Sequence, residues 1–234
     1  MGKNKDIFGN AIRAYFENKD ETDIIVHSED FDDDIIPVAY LFRSFEDMPE
    51  IEQKALELCF GKVLDVGCGA GSHSLYLQNE KNLDCLAIDT SESSIEIAQK
   101  RGLKNARNQD FFELKNERFD TILMLMNGSG IIGKLKNLQR FFTHARSILN
   151  ENGQILMDSS DLIFLFDDDD IPDEETYYGE LSFSMSYKEQ RSAEFDWLYI
   201  DENLLKTYAE KNKFNCEIVK KGSHYDYLAV LKPR

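Results

Sequence analysis

The regular alternation of short apolar runs with helical patterns, which begins at Gly61, most constrains how this chain can fold. The apolar runs predict strands in KVLDVG, LDCLAID, FDTILMLM and QILMDSS, with a short strand in NARNQDFFEL. The patterns SHSLYLQNE, SESSIEIAQKRG and KLKNLQRFFTHARSIL predict helices among them, because their apolar residues recur at helical spacing. A β-α-β-α order of this kind favours a doubly wound, mostly parallel sheet with helices on both faces.

Three further segments modify this α/β plan. FNCEIVKKGSHYDYLAVLK predicts two strands joined by KKGSH, an antiparallel hairpin that closes the sheet, and LYIDENLLKTYAEKNK predicts a helix before it. NENG predicts a turn before the fifth strand. Residues 159–197 form an insertion in which GELSFSMSYK alternates like a half-buried strand, with EFDWLYI as its mate. The acidic run DDDDIPDEE opens this insertion, and we expect a solvated loop because its carboxylates lack calcium-loop spacing.

The first sixty residues show no strand–helix repeat. NAIRAYFEN and EIEQKALELC have helical patterns, so we predict that residues 1–60 form an N-terminal helical cap on the same domain. Residues 61–234 then form the main domain, with the β-hairpin insertion at 159–197 after the fifth strand.

The charge balance bears on possible partners. Lys plus Arg number 27 against 44 Asp plus Glu, which gives a formal net charge of −17. Since nucleic-acid binding depends largely on basic residues, nucleic acid is a poor candidate, whereas neutral or cationic small molecules are favoured. The four cysteines contain no CxxC pair, so no metal site is expected. The sequence shows no signal-peptide core and no membrane-spanning apolar run, which predicts a cytoplasmic protein without a membrane partner.

Three glycines, Gly67, Gly69 and Gly71, follow the first strand of the alternation, where parallel sheets bind ligands. Glycine permits a left-handed backbone and close approach to a ligand. The spacing is GxGxG, and the dinucleotide pattern GxGxxG would need glycine where Ser72 stands. Asp65 precedes the loop, where its charge disfavours a pyrophosphate and favours the cationic S-adenosylmethionine (SAM). An NAD-dependent oxidoreductase is therefore disfavoured.

Two aspartates after the next strands fit a nucleoside. Asp89 ends the second strand, where an acidic side chain can accept hydrogen bonds from both ribose hydroxyls. The alternative is that Asp89 caps the following helix, although Thr90 or Ser91 could do so instead. Asp110 follows the third strand and could accept a bond from the adenine amino group while Phe111 covers the ring. An ordinary turn aspartate is the alternative for Asp110.

Together, VLDVGCGAG, LAIDTSESSIEIAQKRG, NQDFFEL, FDTILMLMN and HARSILNENGQILMDSSD resemble the class I SAM-dependent methyltransferases in order and spacing. The resemblance covers 62–161 and the closing hairpin. It implies a seven-stranded sheet with a reversed last strand. It also implies cofactor contacts to the methionine part, the ribose and the adenine. The candidate cofactor residues are Asp65, Gly67, Cys68, Gly69, Gly71, Asp89, Thr90, Asp110, Phe111, Met126 and Arg43.

The acceptor is less clearly indicated. Members of the family that methylate adenine or amide nitrogen carry Asn or Asp followed by Pro-Pro-aromatic after the fourth strand. Here Asn127 is followed by Gly128 and Ser129, which argues against that substrate class. Asn127 could contact the methionine group of the cofactor or the acceptor, or simply form a turn.

Four residues are candidates for positioning the acceptor: Asn127, Asp158, Asp161 and Tyr40. Asp158 and Asp161 follow the fifth strand, with helix capping as the alternative role. Tyr40 and Arg43 stand close in PVAYLFR, where an arginine could pair with the methionine carboxylate or with a surface acid. His224 is expected to be a solvated turn residue.

The sequence therefore predicts a SAM-dependent methyltransferase, a monomer or homodimer, acting on a small molecule. Two alternatives stay open: a protein or RNA methyltransferase, and a non-catalytic SAM-binding protein. The sequence does not indicate whether O, N, S or C receives the methyl group.

Overall fold

The computed structural model describes residues 6–29, 31–166 and 177–234. The acidic run DDDDIPDEE, predicted as a solvated loop, lies outside the described residues. In the described ranges the α-helices are α1 (Ile7–Asn18), α2 (Glu50–Leu58), α3 (Ser72–Asn79), α4 (Glu92–Lys100), α5 (Leu138–Ile148) and α6 (Glu202–Lys211). The strands are β1 (Ile24–Ser28), β2 (Asp34–Ile36), β3 (Lys62–Val66), β4 (Asp84–Asp89), β5 (Ala106–Asn108), β6 (Phe119–Met124), β7 (Leu149–Ser160), β8 (Glu180–Tyr187), β9 (Gln190–Arg191), β10 (Phe195–Leu198), β11 (Phe214–Lys221) and β12 (Asp226–Pro233). Short 3-10 helices cover Val38–Phe42, Phe45–Asp47, Phe111–Glu113, Gly128–Ile132, Leu135–Asn137 and Leu162–Leu165.

The main sheet has seven strands in the order β11-β12-β7-β6-β3-β4-β5. The pairs β4–β5 and β6–β7 are parallel. The last strand, β12, runs antiparallel to both β7 and β11. The seven-stranded, mixed sheet with a reversed last strand is therefore confirmed.

The predicted NENG turn is not a separate turn, because β7 already begins at Leu149. The backbone there is irregular: Asn152 has a φ of 66°, and the register between β6 and β7 shifts between Phe119 and Thr121. A strand distorted in this way keeps ladder bonds on either side of the extra residues, as a β-bulge does. The prediction of a turn was wrong because the local turn residues are accommodated within the strand.

A second, smaller sheet has the order β10-β8-β1-β2, with β9 paired to β8. Its strand β1 pairs antiparallel with β2 and with β8. The helical patterns of the lead-in form α1 and α2, but the predicted helical cap missed β1 and β2. Strand β2 pairs with β1, and β1 in turn pairs with β8, which is more than 150 residues away in the sequence, so the local pattern held no signal of that pairing.

The chain forms two compact units. The first takes in the described residues up to Met48, together with Asp65–Leu114 and Ser182–Phe195. Its core includes a small cluster of Cys68, Ala87, Ile95, Ala98, Leu103 and Ala106. The second takes in Pro49–Leu64, Asp196–Arg234 and the described part of Lys115–Leu181. Its core contains the fully buried rings of Phe119, Phe141, Phe142, Phe214 and Tyr227.

Two searches of the described residues bear on partners. Across 6–29, 31–166 and 177–234, no helix is both long enough and apolar enough to cross a membrane. Within the same ranges, no three His, Cys, Asp or Glu side chains come together in a way that could hold a metal ion.

Candidate functional site

The glycine loop between β3 and α3 has a left-handed backbone at each of its three glycines. The φ angles are 76° at Gly67, 52° at Gly69 and 83° at Gly71, a region that L-residues with a Cβ rarely adopt. The N–H groups of Gly67 and Cys68 donate to the carbonyl of Ile88, at 2.9 and 3.1 Å. The loop is therefore fastened to the end of β4.

Asp89, at the end of β4, ties the glycine loop to the start of α4. Its Oδ2 accepts a bond from the N–H of Gly69, and its Oδ1 accepts one from the N–H of Ser91, both at 2.8 Å. Burial raises the pKa of Asp89, and the two N–H donors partly oppose that rise. Each carboxylate oxygen keeps a second lone pair, so Asp89 can still accept two hydroxyl groups.

Helix α4 is capped by Ser91, whose Oγ accepts the N–H of Ser94 at 3.0 Å. The alternative role that the sequence left open for Asp89, as the cap of α4, therefore belongs to Ser91. Thr90, between them, is exposed. The carboxylate of Asp89 thus bridges the glycine loop and the N-cap residue, while Ser91 caps the helix.

Asp65 on β3 is only 2% exposed, and it accepts a 2.6 Å bond from the Ser74 hydroxyl on α3. Burial raises the pKa of Asp65, while His73 and the Ser74 bond lower it by a smaller amount. The sequence argument treated this charge as open to a ligand. The structure instead places Asp65 inside the first unit, bonded to the helix that follows the glycine loop.

The predicted adenine pair occupies the turn after β5. Asp110 is exposed, and its Oδ1 accepts the N–H of Phe112 at 2.7 Å, which begins a 3-10 helix. Phe111 is 3% exposed and packs edge-on against Phe112. Asp110 therefore has the turn role that was its alternative, and it uses one carboxylate oxygen for that role.

Tyr40 and Arg43 lie together, as their spacing predicts. The Arg43 guanidinium stacks over the Tyr40 ring at 3.9 Å and donates to the Tyr40 carbonyl at 2.7 Å. Arg43 is 9% exposed, whereas Tyr40 is 38% exposed. Arg43 is therefore a buried side chain that packs on the Tyr40 ring.

Helix α1 also contributes to this region, which the sequence did not reveal. Its N-cap Asp6 accepts bonds from the N–H of Gly9 and the hydroxyl of Ser91, at 3.0 and 2.8 Å. A Cβ built on Gly69 would lie 3.5 Å from Cε1 of Phe8, so the α1 side chain packs over the glycine loop. The only local signal was Asp6 itself, an acidic residue at the start of a helical pattern.

A second missed residue is Arg101, which follows α4. Its guanidinium donates to the Ala70 carbonyl at 2.6 Å and to the Ser72 hydroxyl at 3.1 Å, and it stacks on Phe42. Ser72 in turn donates to the Leu41 carbonyl at 2.8 Å. Arg101 therefore holds the far end of the glycine loop. No local pattern marks it, because its partners lie about thirty residues or more away along the chain.

The second unit contains another left-handed turn, after β6. Met126 and Asn127 have φ angles of 64° and 55°. Asp158 on β7 accepts the N–H of Asn127 at 3.1 Å and that of Gly128 at 2.8 Å. The side chain of Asn127 accepts a 3.1 Å bond from the Ser160 hydroxyl. The structure thus brings together Asn127 and Asp158, two of the predicted acceptor residues, and engages Asp158 in holding the turn.

Asp161 follows β7 and begins the 3-10 helix Leu162–Leu165. Its Oδ1 accepts the N–H of Ile163 at 3.0 Å and the hydroxyl of Tyr178 at 2.7 Å. Its own N–H donates to the carbonyl of Tyr225 at 3.0 Å. The capping role left open for Asp161 is therefore present, and an insertion residue that sequence reasoning missed, Tyr178, lies against it. His224 is exposed, with its N–H donated to Asp226.

Comparisons with known proteins bear on the family to which this chain belongs. Residues 61–222 match the model of a family described as a methyltransferase domain. A SAM-dependent methyltransferase from Bacteroides fragilis, solved with S-adenosyl-L-homocysteine (SAH), shares 46% identity at a TM-score of 0.90, over 99% of this chain and 96% of that one. No curated protein matches the sequence.

More distant solved structures support the fold alone. An S-adenosylmethionine-dependent methyltransferase from Clostridium acetobutylicum is 19% identical at a TM-score of 0.60, over 80% of this chain and 93% of that one. A sugar N-methyltransferase from Streptoalloteichus is 16% identical at 0.58, over 79% and 85%. The family match spans well over half of the chain, and the Bacteroides relative spans nearly all of it. The chain therefore belongs to the SAM-dependent methyltransferases.

Proposed function

We propose that this methyltransferase uses SAM as its cofactor and transfers the methyl group to a small-molecule acceptor. The observation that carries the cofactor assignment is the pairing of the glycine loop with Asp89 at the carboxyl ends of β3 and β4. Such an edge is where open α/β sheets bind ligands. The relative from Bacteroides fragilis, 46% identical, was solved with the demethylated form of this cofactor.

The residues of the first unit fit the cofactor. The left-handed glycines bring the backbone close to a ligand, and Asp89 retains lone pairs for the ribose hydroxyls. We assign Gly67, Cys68, Gly69 and Gly71 to the methionine part, Asp89 with Thr90 to the ribose, and Asp110 with Phe111 to the adenine. Arg43 of the same unit completes this proposed set, and a cofactor contact from Met126, a residue of the second unit, stays a prediction from the sequence. Asp65, buried and bonded to Ser74, supports the set by holding helix α3 and does not itself contact the ligand.

The chemistry asks little of the protein beyond alignment. SAM supplies a methyl group on a sulfonium; the acceptor's lone pair bonds to that carbon, the carbon–sulfur bond breaks, and SAH leaves. The protein gains most by holding the reacting atoms in line. In the second unit the turn at Met126 and Asn127 is fixed by Asp158, so we propose Asn127 as a contact for the acceptor, with Asp161 also positioning it. A positioning role for Tyr40, a residue of the first unit, stays a prediction from the sequence.

We further propose that residues 1–60 act as a cap for the domain formed by 61–234, and that the protein is cytoplasmic. Within the first unit, Phe8 packs toward Gly69 and Asp6 bonds to Ser91, which supports a covering role for α1. The net charge of −17 favours a neutral or cationic small molecule over a nucleic acid.

Calorimetric titration of the protein with SAH, SAM and NAD tests the cofactor. We expect SAH and SAM to bind and NAD not to bind. The Asp89→Ala variant should bind SAH at least about tenfold more weakly, because two hydrogen bonds to a charged group are worth that much or more.

Asp84→Ala is the matched control, since Asp84 is an exposed aspartate at the other end of the same strand. It should bind SAH as the unmodified protein does. Circular dichroism confirms that both variants are folded. Absence of SAH binding by the unmodified protein, or equal binding by Asp89→Ala, would refute the proposal. Binding of SAH with no turnover on any acceptor would favour the non-catalytic alternative.

A further inference from the structure

The end of β7 carries a carboxylate flanked by aromatic rings, which the cofactor assignment does not use. Asp161 lies at its centre, half-buried. The Tyr178 hydroxyl donates to Oδ1 of Asp161, and the backbone N–H of Asp161 donates to the Tyr225 carbonyl. Two ring pairs stand here: Phe164 with Tyr225, stacked at 5.0 Å, and Phe166 with Tyr178, edge-on at 5.9 Å. We call these four rings the aromatic patch.

The aromatic patch exposes an unusual amount of apolar surface. Phe164 is 48% exposed and Tyr225 is 59% exposed, and the neighbouring Leu165 is 44% exposed. Tyr225 holds its place with a φ of 59°, which is strained for an aromatic residue. Exposed apolar groups gathered at one place mark a binding surface more often than single exposed residues do. A strained backbone that presents one of the rings points the same way.

The charge of Asp161 decides what kind of ligand suits the patch. Both described donors to its side chain use Oδ1, and among the described residues Oδ2 accepts no hydrogen bond. Aromatic faces carry partial negative charge, so a carboxylate among rings favours an organic cation. A metal ion is a poorer match, because no group of three potential ligand side chains forms among the described residues.

The position of the patch connects it to methyl transfer. Asp161 directly follows Ser160, whose hydroxyl donates to the side chain of Asn127. Asn127 follows β6 and Asp161 follows β7, so both lie at the carboxyl ends of parallel strands, the edge at which such sheets bind ligands. From these observations we propose that Asp161 and the aromatic patch bind the methyl acceptor, and that the acceptor is an amine with an apolar body that binds in its protonated form. The ammonium group gives one proton to the Asp161 carboxylate, and the nitrogen lone pair freed in this way bonds to the methyl carbon as the carbon–sulfur bond breaks. This inference rests on the proposed function.

Calorimetry on the protein saturated with SAH tests this, because no methyl transfer can occur. The probes are 2-phenylethylamine, which is protonated at neutral pH, and its neutral and anionic counterparts 2-phenylethanol and phenylacetate. We expect the amine to bind about tenfold more tightly than the alcohol, from one ion pair and cation–π contact. Phenylacetate should bind most weakly.

Two variants separate the charge from the rings. Asp161→Asn keeps an Oδ1 acceptor for the N–H of Ile163, and it should remove most of the preference for the amine over the alcohol. Tyr225→Asn removes a ring and places at a φ of 59° a residue that tolerates it, so stability is retained. It should weaken the alcohol by about threefold, and the amine by somewhat more because the amine also loses a cation–π contact. Glu151→Gln, exposed near the start of β7, is the control and should change neither.

The outcomes are distinguishable. If SAH itself does not bind, the proposed function fails. If SAH binds but the amine binds no more tightly than the alcohol, or Asp161→Asn keeps the preference, the amine inference alone is overturned. Sedimentation at the same concentrations tests the other occupant of such a surface: a dimer that Tyr225→Asn dissociates would show that the patch binds a second copy of the chain.

Discussion

Two left-handed turns follow two strands of the main sheet, and they are built in different ways. After β3, the turn uses glycines at Gly67, Gly69 and Gly71, for which a positive φ costs little. After β6, the turn uses Met126 and Asn127, and for a residue such as Met126 a positive φ costs roughly 1–2 kcal/mol. The first turn is encoded by its own residues, whereas the second needs support from elsewhere.

That support has the same chemical form in both turns. Asp89 accepts two backbone N–H groups, from Gly69 and Ser91, which belong to the same unit as Asp89. Asp158 likewise accepts two, from Asn127 and Gly128. Since glycine already favours the first turn, we infer that Asp89 mainly orients a loop that is locally allowed. Asp158, in contrast, offsets the conformational cost of the left-handed backbone at Met126 and Asn127.

The largest effect should follow from removing the support of the second turn. Asp158→Ala leaves two backbone N–H groups without an acceptor, so the free energy of unfolding should fall by about 3 kcal/mol. Asp158→Asn keeps one acceptor oxygen and should lose about half as much. Urea unfolding measures both, with the exposed Glu151→Ala on the same strand as control. A loss below about 1 kcal/mol in Asp158→Ala would mean that the turn holds itself.

The next largest effect should come from adding a side chain to the first turn. Gly71 has a φ of 83°, and a Cβ there would lie 3.1 Å from Cβ of Ala98. Strain and crowding together should lower the unfolding free energy of Gly71→Ala by about 2 kcal/mol. Gly102→Ala is the matched control, because its φ is 105° but its Cβ would meet no atom within 4 Å. Equal losses in the two variants would show that crowding at Ala98 contributes nothing.

A third prediction concerns the buried charge beneath the first turn. Burial raises the pKa of Asp65 in the folded protein above its ordinary value of 3.8, so the folded state holds this proton to higher pH than the unfolded state does. The stability that this bound proton contributes to the folded state is fully present below pH 3.8. It is lost as the pH rises through the raised pKa of Asp65 in the folded protein. Asp65→Asn should therefore gain stability relative to the unmodified protein as pH rises across this range.

Urea unfolding of both proteins, from about pH 4 to pH 7, measures that difference. The asparagine retains an acceptor for the Ser74 hydroxyl, so the bond at this position is kept. A difference that stays constant with pH would contradict the raised pKa of Asp65.

The smallest effect should come from giving the second turn the residue type that the first turn uses. Met126→Gly relieves the left-handed strain but gains chain entropy in the unfolded state, so its stability should change by no more than about 0.5 kcal/mol. Met126→Ala keeps the strain and loses side-chain contacts, and should be less stable than Met126→Gly. Thermal and urea unfolding would show the order, and the reverse order would mean that Asp158 removes the strain entirely.

Much of the fold was predictable because its signals are local. The strands β3, β4, β6 and β12 are short apolar runs whose neighbours carry helix periodicity or turn residues, so each could be assigned without knowing its partners. The prediction failed where pairing decides the structure. Strand β1 exists because β8 pairs with it, and the NENG residues lie within β7 because the residues before and after them, Leu149 and Gln154, both pair with β6.

The candidate site divides in the same way. Gly67, Gly69, Gly71 and Asp89 were identified because their residue types are required by a particular backbone or ligand chemistry at a strand end. Arg101 and Asp6 were missed, because their role consists of hydrogen bonds to segments far along the chain. Tyr178 was missed for the same reason: nothing near it in the sequence indicates Asp161.

The sequence by itself indicated the alternation of strands and helices, the closing hairpin and the glycine loop, since periodicity and glycine placement act within a few residues. Only the tertiary structure decided which carboxylates are buried and which already accept hydrogen bonds from the protein. Asp65 is buried against Ser74, Asp158 is bound to the turn after β6, and Asp161 lies among aromatic rings. An aspartate's chemistry depends on its burial and on the donors that reach it, and those donors come from residues that only folding brings near.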